Sequence, residues 1–173
     1  MNKLKVLFLT LLLVAFSAPV NAKIVVLNSN AAMLSTQFAQ EELKKLEEDA
    51  SFIADREKLE LLQAEIEGLV EKFQKDQEIL SDEEKLDLQK QLQDKQTDGQ
   101  FISNKLQTKY EEVQQRVIGA LTPTYQTVMG ELIAQKEYEM IVAPGSLIYA
   151  DPDLDITEEV IAYLDNALTE KSE

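Results

Sequence analysis

The sequence contains no cysteine, no histidine and no tryptophan. Without cysteine there are no disulfides, so an exported chain must draw its stability from packing or association. Zinc sites built from Cys and His are excluded on the same ground. So are Ser-His-Asp and Cys-His nucleophile systems, which argues for a non-enzyme with neither metal nor cofactor. Positive charge is scarce as well, with 17 Lys and Arg against 32 Asp and Glu, a net of −15. That balance argues against nucleic acid, whose phosphates need basic side chains, and against direct adhesion to anionic lipid.

What is present begins with an export signal over residues 1–22. Lys3 and Lys5 precede an apolar run from Val6 to Phe16, and Val20-Asn21-Ala22 puts small residues where a signal peptidase reads. The run is about ten residues, too short to span a hydrocarbon core, so no stable membrane insertion is expected after cleavage. No Cys follows it, which sets aside a lipoprotein anchor. The mature chain would start at Lys23. Losing Lys3 and Lys5 leaves 15 basic residues against 32 acidic ones and a net charge of −17.

Lys23 to Leu27 (KIVVL) reads as a short buried strand, and Asn28, Ser29 and Asn30 offer helix N-caps. Helix-favouring composition then runs from Ala31 to about Leu80 without proline. Within it Phe52, Leu59, Ile66, Phe73 and Leu80 recur every seven residues, with Leu62 and Leu69 as a second row. This is a heptad seam, interrupted where Asp55 and Asp76 occupy the second row. The other faces are charged, so the helix must project from a body and pair along one stripe.

Ser81 followed by Glu84 is a capping box, so a second helix starts where the first ends and the chain reverses as an αα-hairpin. The return arm carries a looser stripe of Leu88, Leu92, Ile102, Leu106, Val113 and Val117, with Lys95 and Gly99 interrupting it. Pro123 is expected to kink that arm. Glu139 to Ala143 and Ser146 to Ala150 read as two further strands joined by a Pro144-Gly145 turn. Thr157 is expected to cap a last amphipathic helix. The fold class is α+β and mostly α. A small β-core body (23–45 and 115–173) carries a long inserted antiparallel helical hairpin (46–114). So little sheet cannot bury much core, and bundling several bodies would solve this.

Along the whole mature chain this layout resembles the Skp/OmpH family of periplasmic chaperones. The resemblance rests on Ile24-Val25-Val26-Leu27-Asn28, on Tyr138 before Glu139-Met140-Ile141-Val142, and on Leu147-Ile148-Tyr149-Ala150 followed by Asp155-Ile156-Thr157-Glu158-Glu159-Val160. It implies a jellyfish-shaped homotrimer with a shared β-core and three hairpins hanging as tentacles around a cavity. Unfolded outer-membrane β-barrel proteins would be held there, in the periplasm, by an ATP-independent holdase. The alternative is a structural coiled-coil or spacer protein of the envelope, which would need continuous heptads.

Ile24, Val26, Ile141, Val142 and Leu147 are then expected in the β-core and trimer interface. Phe52, Leu59, Ile66 and Phe73 could contact client or hold the hairpin together, and their spacing favours the second role. Leu61, Phe101 and Tyr110, off the seam, are the candidate client contacts. The chain departs from the well-known basic members in its strong acidity. It has no Lys/Arg cluster on the return arm, so no lipopolysaccharide site is carried over. An acidic cage cannot draw in acidic precursors by charge, so added salt should not weaken client binding. Asp151-Pro152-Asp153-Leu154-Asp155 opens like a calcium loop, but Ile156 and Ala162 stand where Gly and Glu are required, so it reads as a loop.

Overall fold

The structure, a computed structural model, describes residues 22–170, and the signal-peptide reading therefore falls almost wholly outside it. Strand β1 (Ile24–Val26) is followed by helices α1 (Ser29–Leu34), α2 (Gln37–Glu47), α3 (Ala50–Asp76) and α4 (Asp82–Lys136). Strand β2 (Met140–Val142) and helix α5 (Thr157–Glu170) complete the order.

The outgoing helix expected from Ala31 to Leu80 is divided in three, each piece started by its own cap. The side chains of Asn28, Thr36 and Asp49 accept from the backbone N–H groups of Ala31, Ala39 and Phe52. Each satisfies a donor that a helix start would otherwise leave orphaned. A polar oxygen of the right reach thus outcompetes helix continuation.

Strands β1 and β2 pair in parallel, with Ile24, Val25 and Val26 opposite Met140, Ile141 and Val142. The expected third strand at 146–150 is absent. Pro144–Ser146 is a 3₁₀ turn, and the other edge of β1 is met by a single bridge from Asp155, with the Ile156 N–H donating to Val26 O at 2.9 Å. After β2 the chain enters that turn instead of a hairpin, and no residue of 146–150 pairs with the sheet. Ile148 and Tyr149 are left projecting outward, 107% and 79% exposed.

Pro123 does not interrupt α4, which runs through it. Leu121, Thr124 and Val128 are buried around the proline, and tertiary packing on that side holds the helix where a backbone donor is missing. Thr157 also differs from expectation. Its hydroxyl accepts from Asn28 N (3.1 Å), while Asp155 Oδ1 accepts from Thr157 N (2.8 Å). The threonine thus ties α5 to the exit of β1, and the aspartate takes the start of the helix.

The body core joins both chain ends. Leu27 and Ala32 pack with Val117, Leu121 and Leu132 of α4 and with Val160 and Leu164 of α5, all buried. Each large apolar side chain buried there contributes about 1.5–3 kcal/mol relative to exposure. Asp165 of α5 adds a clamp by accepting from Gln37 N at 2.9 Å, at the start of α2.

Candidate functional site: the helical hairpin

Helix α3 and the first part of α4 lie antiparallel, joined at Gln77–Ser81. The reversal is fixed by the capping box. Ser81 N donates to Glu84 Oε2 at 2.8 Å, and Glu84 N donates to Ser81 Oγ at 3.3 Å. The Ser81 N–H, and then its hydroxyl, hold the Glu84 carboxyl below its ordinary pKa.

Register along the arms is symmetric about residue 80, seen in the pairs Ser51 with Lys109, Asp55 with Lys105, and Glu65 with Lys95. Near the base of the arms the seam is tightly packed. Phe52 and Leu62 are buried against Ile102 and Leu106. The Tyr110 ring meets Phe52 edge-on at 5.1 Å, and Lys109 Nζ stands 6.0 Å over the same Phe52 ring. Such aromatic pairs add about 0.5–1.5 kcal/mol beyond their burial. The Asp55 carboxylate, in the seam, accepts from Lys105 at 2.8 Å and has Lys109 3.5 Å from its second oxygen. The hydrogen bond from Lys105, outweighing the cost of burial, lowers the Asp55 pKa. Glu65 raises that of Lys95 by accepting its hydrogen bond at 2.5 Å. Asp55 and Lys95, two of the polar breaks read in the seam, are thus paired charges.

Two clefts lie along the hairpin. One, of about 340 Å³, has Leu59, Ile66 and Gly99 as its floor and Gln63, Gln96, Gln100 and Ser103 at its rim. The other, of about 270 Å³, is floored by Leu69, Val70, Phe73, Leu88 and Leu92, with Gln74 and Gln89 exposed beside them.

Of the seam residues, Phe52 is buried, while Leu59, Ile66 and Phe73 are half-buried because they border these clefts. Leu61 and Phe101 are 66% and 70% exposed. They immediately precede the buried Leu62 and Ile102 on antiparallel helices, which turns both to one side of the hairpin. Tyr110, grouped with them in the sequence, is instead half-buried against Phe52 and joins the seam. In the body Val26 is buried, Ile141 and Val142 are half-buried, and Ile24 and Leu147 are 42% and 38% exposed. Leu147 lies outside any strand. Met140, Ile148 and Tyr149 are likewise exposed on the body. The clefts were missed in the sequence, although glutamines seven apart at 89 and 96 mark the rim of each.

The family described as outer membrane protein (OmpH-like) matches residues 23–164. The chain belongs to the OmpH-like family. No curated protein matches it. A solved structure from Caulobacter crescentus CB15, described as a candidate outer membrane chaperone (OmpH-like), is 16% identical. The match covers 86% of this chain and 87% of that one, with a TM-score of 0.45. Among the described residues of this OmpH-like protein, no helix is long and apolar enough to cross a membrane.

Proposed function

We propose that the protein is an ATP-independent holdase of the periplasm, acting on unfolded outer-membrane β-barrel proteins as a homotrimer. Family membership supports a chaperone role. One observation carries the finer reading: a long hairpin inserted between two strands that pair with each other, on a body that leaves several large apolar side chains exposed. Ile24, Met140, Ile148 and Tyr149 are too many large apolar groups to leave in water on so small a body. Joining three bodies through these side chains would cover them and set three hairpins around a shared space. Leu61 and Phe101 offer client contacts on one side of each hairpin. A rigid spacer would need a seam filled along its length, and the two clefts leave it unfilled.

The test pairs mass with activity. Light scattering should give a trimer, and the protein should suppress aggregation of a β-barrel protein diluted from urea. A monomer, or no suppression at several-fold excess, would sink the reading.

A further inference from the structure

The two clefts between the hairpin arms share one property: none of their lining residues is charged. In a chain that is 28% charged, that absence sets the surface apart from the rest of the hairpin.

The clefts also lie on one side. Leu59, Ile66 and Phe73 are spaced by seven, as are Gln63 and Val70, Leu92 and Gly99, and Gln89, Gln96 and Ser103. Residues seven apart on a helix share a face, so the linings join into one strip along both arms. From Leu59 to Gln74 the strip runs on the order of 22 Å. That is the reach of about six or seven residues of extended chain. Leu61 and Phe101 line neither cleft.

We propose that this strip is the seat for an extended, uncharged apolar segment of an unfolded polypeptide. The inference rests on the holdase reading and names the chemistry of what is held. The apolar floor accepts side chains, and Gly99 lets them sit deep, since the nearest atom to a β-carbon built there is Leu59 Cδ1 at 3.9 Å. Primary amides at the rim both donate and accept, so Gln63, Gln74, Gln89 and Gln96 can pair with the peptide backbone of any sequence. Charge complementarity selects the occupant. The neutral strip offers no counter-charge to a charged occupant, and the surrounding carboxylates of a chain of net charge −15 would repel an acidic one. Capture by such a strip does not need the basic surface that this chain lacks.

The test uses the full mature protein and an end-capped, uncharged peptide of alternating apolar residues and threonine. Photo-crosslinking residues are placed at Gln63 and Gln96 in the strip, and at the exposed Glu60 and Asp98 outside it. The peptide should label the first two sites and spare the second two. Gln63→Glu with Gln96→Glu should weaken peptide binding on the order of ten-fold, because a rim carboxylate loses its water when an apolar peptide covers it, while circular dichroism and mass stay unchanged. Gln63→Asn with Gln96→Asn should bind nearly as the parent does, and added salt should not loosen the peptide. Labelling outside the strip, binding indifferent to the glutamates, or cross-links joining two hairpins without peptide would each overturn the proposal. The last outcome would make the strip a contact between copies. Failure to suppress aggregation would sink the holdase reading by itself, whatever the peptide labels.

Discussion

Lys105 reaches across the hairpin to donate to Asp55 at 2.8 Å, within a seam otherwise filled by Phe52, Leu62, Ile102 and Leu106. The Asp55 side chain is only 14% exposed, so its charge depends on Lys105 and Lys109 for compensation. The hydrogen bond from Lys105 lowers its pKa from the ordinary 3.8. A lowered folded-state value means the contribution is complete above 3.8 and is lost as pH falls through the folded pKa. Asp55→Asn should therefore melt below the parent by a gap that is constant at neutral pH and closes in strong acid. Thermal scans from pH 7 to pH 2 check this, and a gap that widens in acid would contradict it.

Gly99 is buried in α4 opposite Leu59, with no positive φ to require glycine. A β-carbon would meet Leu59 at 3.9 Å, ordinary van der Waals contact. Gly99→Ala should therefore stabilise the hairpin by about 1 kcal/mol through helix propensity alone. Calorimetry should show the melting temperature rising by about 2–4 °C.

Glu137 ends α4 in the left-handed region, at φ 56° and ψ 43°. Its Cβ meets the following carbonyl there, at a cost of roughly 1 kcal/mol that glycine avoids. The ion pair it makes with Lys23, 3.6 Å apart, is exposed and contributes little. Lys23 keeps its hydrogen bond to Lys136 O at 2.8 Å whichever residue stands at 137. Glu137→Gly should therefore raise the denaturant midpoint, and a fall would show that the ion pair outweighs the strain.

Ile148 and Tyr149 project from the turn after β2, largely uncovered by the described residues. If bodies associate through this face, Ile148→Asp should shift the mass measured at micromolar concentration from trimer toward monomer. The helical signal should persist, since the body core of Leu121, Leu132, Val160 and Leu164 is untouched. An unchanged trimer would place the interface elsewhere.

The hairpin was legible because its signals are local. A seven-residue stripe and the Ser81–Glu84 box each fix geometry within a few turns, and no distant contact overrides them. The breaks at Thr36 and Asp49 were legible in kind, since both are cap residues. Nothing in the immediate sequence says that a cap will beat an equally helical continuation. Residues 146–150 misled because β-branched and aromatic composition marks fitness for a pleated surface without supplying a partner strand. Thr157 misled for a related reason: its hydroxyl is taken by Asn28, far away in sequence. The uncharged strip is a property of two helices in register, and neither arm alone displays it.

The parallel pairing of β1 with β2 sets an order on birth. Ile24 opens the first strand, yet its partner Met140 is made only after both arms of the hairpin. Synthesis delivers the chain from its N-terminus, so the first strand emerges long before β2 can pair with it. The arms, whose contacts are local, can zip at once, while the body must wait for the last part of the chain. Until then this protein is itself an unfinished chain with an open strand edge, in the condition its proposed clients are in.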